Sequence, residues 1–162
     1  MRKAAFWALF CAGVLFICES PLFAAISIGV TGGCNLTVAS LNLIGGAGTN
    51  LKGSYESESG VTAINITGTT GNDDVWKVQV RKSGTLWPSG VMLQLRRTGE
   101  GTGAGVISGG TAYVSIGASD ADFFDGSGDK AGIPVQYKIS GMSLAVPPGA
   151  YSATIVYTVV DL

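Results

Sequence analysis

Apolar and polar residues alternate along most of the chain. Ile64 and Ile66 lie opposite Asn65 and Thr67; Trp76, Val78 and Val80 lie opposite Lys77, Gln79 and Arg81; Val91, Leu93 and Leu95 lie opposite Gln94 and Arg96. Ile133, Val135, Tyr137 and Ile139 alternate with Gln136 and Lys138, and the run 151–160 is the longest. A period of two marks a strand with one buried face, because successive side chains leave a pleated backbone on opposite sides. With shorter runs at 34–44, 113–116 and 143–146, the pattern predicts roughly seven to nine strands. No long stretch repeats at helical spacing.

Glycines punctuate these runs: 25 occur in 162 residues, grouped at 32–33, 45–46, 99–105, 109–110 and 126–128. Short strands at turn-like intervals predict an all-β fold. The expected architecture is an immunoglobulin-like β-sandwich, with a jelly roll or small barrel as the alternative topology. The tract Gly99–Gly105 reads as a mobile hairpin tip rather than a linker.

The N-terminus breaks the pattern. Arg2 and Lys3 precede an apolar run from Ala4 to Cys18, followed by Ser20-Pro21 and the small residues Ala24 and Ala25. This arrangement predicts a cleaved secretory signal peptide over residues 1–24, with cleavage after Ala25 the near alternative. The apolar run, about 15 residues, is shorter than the roughly 20 that span a bilayer, so no retained membrane span is expected. An N-terminal extension at 25–33 and one β-domain at 34–162 follow. Without the leader, eight basic and ten acidic residues remain, a formal charge of −2. No basic stripe is present to neutralise phosphates, so nucleic-acid binding is not expected. Cys34 is then left without a cysteine partner in its own chain. It reads either as a small buried hydrophobe or as an exposed thiol that pairs between subunits.

The chain contains no histidine, the usual general base and metal ligand. Asp73-Asp74, Glu56 with Glu58, and the acids between Asp120 and Asp129 could supply paired carboxylates, but all sit in turn-like contexts. The segment from Asp120 to Asp129 has the acids of a calcium loop. Phe123-Phe124 interrupts the ligand alternation and no closing glutamate follows, so a hydrophobic plug flanked by an Asp-Gly turn is expected there, with no metal, cofactor or catalytic residue. Trp87, in the turn before Pro88, reads as a plug at the sandwich end or as a platform for a sugar.

Two segments stand apart. Ile26, Ile28 and Val30 share one face of a short run with Gly29 between them, and Gly32-Gly33 follows. At the far end Tyr151, Ala153, Ile155, Tyr157 and Val159 share one face of a run that has neither charge nor proline before Asp161. A leader, an alternating N-terminal extension, a β-domain without catalytic residues and a glycine-led final strand together resemble chaperone-usher pilins and the related spore-coat-U-like secreted domains. The resemblance implies a subunit lacking one strand, whose groove accepts the N-terminal extension of the next subunit. Ile26, Ile28 and Val30 would be donor side chains, Gly29 would allow close backbone approach, and the strand bearing Tyr151 to Val159 would border the groove. It further implies a head-to-tail homopolymer, a periplasmic chaperone, an outer-membrane usher, and passage through the periplasm to a cell-surface or extracellular filament. The lone Cys34 and the Asp161-Leu162 ending depart from the family pattern. Against the polymer stands a monomeric secreted module that binds a glycan or protein through Trp87, with residues 26–30 paired inside their own domain.

Overall fold

The computed structural model describes residues 25–84 and 86–162; the leader expected at 1–24 lies outside the described residues. Among the described residues the fold is all-β, built from ten strands rather than the seven to nine expected: β1 (Ser27–Gly32), β2 (Ser54–Glu56), β3 (Thr62–Thr67), β4 (Val75–Ser83), β5 (Met92–Arg97), β6 (Ile107–Gly109), β7 (Val114–Ser115), β8 (Ala121–Ser127), β9 (Lys130–Ser140) and β10 (Thr154–Asp161). They form two antiparallel sheets. One runs β1-β3-β9-β5-β7, with β2 on the second half of β9; the other runs β10-β4-β8-β6. Among the described residues no helix is long and apolar enough to cross a membrane.

The core lies between the sheets and is made by the alternating rows. Ile64, Ile66, Leu95, Ile133 and Val135 project from the first sheet against Trp76, Val78 and Val80 of the second, all fully buried. Burial of this size supplies the main driving force of folding, since each large apolar side chain contributes about 1.5–3 kcal/mol. The Trp76 indole N–H donates to the carbonyl of Gly128 (2.9 Å), so burying the ring leaves no donor unpaired.

Three expectations change. Most of the segment Asp120–Asp129 is strand (Ala121–Ser127) rather than turn. β8 pairs with β4, and a register shift opposite Val78 and Gln79 inserts one extra residue, so Phe123 and Phe124 both enter the core. Their rings pack edge to face at 4.7 Å, and Phe124 meets Trp76 in the same way at 6.0 Å. The runs at 34–44 and 143–146 are not strands. The first holds a single 3-10 turn (Ser40–Asn42) closed by the Asn42 side chain, which accepts from the Ala39 amide at 2.8 Å. Finally, Gly99–Gly105 is no projecting tip: Thr102 bridges Ala131, and the tract lies across the β8–β9 turn. A Cβ on Gly103 or Gly105 would stand 2.2 Å from the Asp129 carbonyl oxygen or 1.7 Å from that of Ser127. Glycine is needed there because the two backbones approach too closely for a side chain.

Candidate functional site: the open flank beside β10

The two flanks between the sheets differ. On one, the edge strands β6 and β7 are three and two residues long and adjoin Gly109, Gly110 and Gly117, which leaves little backbone for another chain to pair with. On the other lie β1 and β10, each bonded on one side alone. β1 pairs antiparallel with β3, from Ser27↔Thr67 to Gly32↔Thr62; β10 pairs antiparallel with β4, from Thr154↔Ser83 to Asp161↔Trp76. Among the described residues, the outer edge of β10 is thus a long row of unpaired backbone groups without proline and without charge until Asp161.

The core thins towards this flank. Inward residues of β3 and β4 are fully buried, whereas Ile26, Ile28, Ile155, Tyr157 and Val159 pack against the same core yet are only half-buried. Val30 is 42% exposed. Ile155, Tyr157 and Val159 share one face of β10, as the alternation predicts. Tyr151 and Ala153 precede the strand: Ala153 packs on the core, while the exposed Tyr151 hydroxyl donates to the Pro147 carbonyl (2.7 Å). Residues 27–30 lie in their own sheet, and Ile26 directly precedes it. In that pairing Gly29 is not required, since an added Cβ would meet only Asn65 Cβ at 3.9 Å, an ordinary contact.

A chain of hydroxyls fastens the flank. Tyr137 donates to Thr62 Oγ1 at 2.9 Å, and the Tyr157 hydroxyl lies 2.9 Å from that of Tyr137, positioned to donate to it. Three strands from both sheets are thereby joined where the apolar core is thinnest. Tyr137 was legible only as one member of an inward row; its partners come from strands distant in sequence. Burial pushes the Tyr157 phenol well above its ordinary range, with the neighbouring Tyr137 hydroxyl adding to the effect. A phenol whose folded pKa is raised keeps its stabilising effect below the unfolded value, about 10, and loses it as pH rises further. Tyr157→Phe is expected to lower the unfolding free energy by about 1 kcal/mol in urea titrations at neutral pH, a modest loss because Tyr137 still reaches Thr62. The variant should also show a shallower decline in stability above about pH 10 than the parent chain.

Most of the other candidate residues are engaged within the chain. Asp122 accepts from Gln79 (2.8 Å) and Lys77 (2.7 Å), which hold its carboxyl below the usual carboxylate range. Asp120 faces Arg81 at 3.4 Å, and Asp125 faces Lys77 at 3.9 Å. Asp129 accepts from both the amide and the hydroxyl of Thr69, which lower its pKa in the same way. These acids are therefore held by β4 and by the segment between β3 and β4, with Asp122 and Asp125 sharing Lys77, and among the described residues no three potential metal ligands converge. Trp87 is half-buried; its indole donates to the Val91 carbonyl (2.7 Å) and Lys82 sits 5.2 Å from the ring centre, so the N–H and one face of the ring are engaged within the chain. Cys34 is half-buried against the core, and burial pushes its thiol up, away from the reactive thiolate.

Compared with protein-family models, curated proteins and solved structures, the chain matches none.

Proposed function

We propose that this chain is a structural subunit of a secreted, fimbria-like or cell-surface polymer, assembled by β-strand addition along the free edge of β10. The observation that carries the reading is that edge itself: long, uncharged, unpaired, and bordered by a half-covered apolar row. Soluble monomers ordinarily blunt such an edge with charge, proline or a bulge.

The strand order supports an immunoglobulin-like reading with one position vacant. β1, β3, β9 and β5 follow the order of a four-stranded immunoglobulin sheet, and β10 beside β4 follows part of the second. In that scheme another strand lies outside β10. A strand added there would satisfy the β10 backbone and cover Ile155, Tyr157 and Val159, the mode in which main-chain bonds give affinity and alternate side chains give register.

Residues 26–30 of a neighbouring copy are the proposed donor. The segment alternates, has one neighbouring strand, and carries in Gly29 a residue that its own sheet does not need. Pairing with β3 competes with donation, so assembly is an exchange: β1 leaves one ladder for another. The same pairing favours the second reading, a monomeric secreted binding module in which β1 stays at home.

Two variants separate these readings. Deleting residues 25–31 is expected to abolish oligomers in light scattering and electron microscopy. Because that deletion also uncovers β3, a gentler variant is needed: Ser27→Cys with Thr67→Cys, in a Cys34→Ser background, places two thiols at directly paired positions of β1 and β3. Oxidation should lock β1 at home and stop assembly, and reductant should restore it. Oligomers that form equally well from the locked chain would refute donation.

A further inference from the structure

Two exposed apolar patches occupy opposite ends of the fold. At the end where β4 begins and β10 finishes, Val75, Val106 and Leu162 are 46, 72 and 66% exposed and surround a shallow depression with Asp73 and Asp125 on its rim. The Leu162 amide donates to the Val75 carbonyl (3.2 Å), which holds two of the three together. At the end where β9 finishes, Leu41, Ile44 and Leu144 are 95, 73 and 62% exposed. Asn50 ties two of them: its carbonyl accepts from the Ile44 amide (2.9 Å) and its side chain from the Leu144 amide (3.0 Å). The Lys52 amide donates to the carbonyl of Asn42, which brings Lys52 next to the turn that carries Leu41.

Single exposed leucines need no explanation, but grouped ones with a charged rim mark contact surfaces. Among the described residues each end carries an unengaged charge, and the two are opposite in sign: Asp73 has no cation within salt-bridge distance and Lys52 no carboxylate. We propose that the acid-rimmed pole of one copy docks on the lysine-bearing pole of the next, so that subunits stack end to end through Val75, Val106 and Leu162 against Leu41, Ile44 and Leu144. The proposal rests on the polymer reading and deepens it. The two patches are unlike surfaces of one chain, and such a contact propagates as an open filament unless its rotation happens to close a ring. β1 begins at the acid-rimmed pole, since Ser27 pairs with Thr67 at the end of β3, so the docked neighbour lies where the exchanging segment starts. The apolar contact provides affinity, while the Asp73–Lys52 pairing sets which poles meet.

The test uses the full chain with Cys34→Ser. Val106→Cys with Leu144→Cys should give an oxidised ladder of dimers, trimers and higher species on denaturing gels, lost on reduction; Ser115→Cys with Leu144→Cys is the control. Lys52→Asp or Asp73→Lys alone should lower the cross-link yield about tenfold, and the two together should restore it. A yield no higher than the control, or charge variants without effect, overturns the pole contact. Oligomers that the β1 lock abolishes but that give no pole cross-link leave strand exchange standing and remove this contact. A pole cross-link indifferent to the lock does the reverse. A chain monomeric at every concentration removes both.

Discussion

Trp76→Ala is expected to lower the unfolding free energy by about 3–5 kcal/mol, the range for removing a large aromatic from a packed core. The indole is fully buried, packs against Phe124, and runs beneath Gly126, where an added Cβ would lie 2.4 Å from the ring. Its removal leaves a cavity, and the Gly128 carbonyl loses its indole donor. The bulged segment of β8 should loosen with it. Equilibrium urea denaturation followed by far-UV circular dichroism measures the loss. Trp76→Phe should recover part of it by refilling some of the volume without restoring the hydrogen bond. A Trp76→Ala chain within about 1 kcal/mol of the parent would show that this part of the core is not packed as described.

Gly105→Ala is the second large effect. The added methyl cannot fit against the Ser127 carbonyl, because both the obstacle and the substituted residue belong to backbone, which has no rotamer to yield. We expect destabilisation on the order of 3 kcal/mol, towards the upper end for overpacking. Gly117→Ala is the control: open space surrounds its position and its backbone is not left-handed, so a change within about 0.5 kcal/mol is expected. Thermal unfolding of the two variants side by side checks both numbers. Equal melting temperatures would restore the view of 99–105 as an unencumbered tip.

Much of the architecture was legible because it obeys one rule. β3, β4, β5 and β9 expose one face to the core along their length, so their apolar residues recur every second position. β8 breaks the rule at the bulge, where Phe123 and Phe124 point the same way, and adjacent phenylalanines between aspartates then look like a turn. The run from Cys34 alternates well enough, but alternation has strand meaning only where another backbone completes the ladder. There, Asn42 and Ala39 satisfy each other locally, and a side chain competing for backbone hydrogen bonds turns the segment instead. The glycine tract was misread for a related reason: composition reports freedom, and the opposing carbonyls that remove it belong to residues some two dozen positions away.

The candidate flank was partly legible. Ile155, Tyr157 and Val159 follow from the period of β10, and the absence of charge from its sequence. Tyr151 shares that period yet falls before the strand, because the turn after Pro147-Pro148 holds its hydroxyl. Neither the Thr62–Tyr137–Tyr157 chain nor the two poles could be read from spacing, since each joins residues that only the completed fold brings together.

The pairing of β10 with β4 also bears on how the molecule is made. On that edge Trp76 pairs with Asp161 and Ser83 with Thr154, so closing it requires a long intervening loop to be gathered first. Folding dominated by such distant partners is slow, on the order of milliseconds to seconds. Until closure the β4 edge is bare, and its sticky backbone is open to any passing strand. Refolding yield should therefore fall steeply as protein concentration rises.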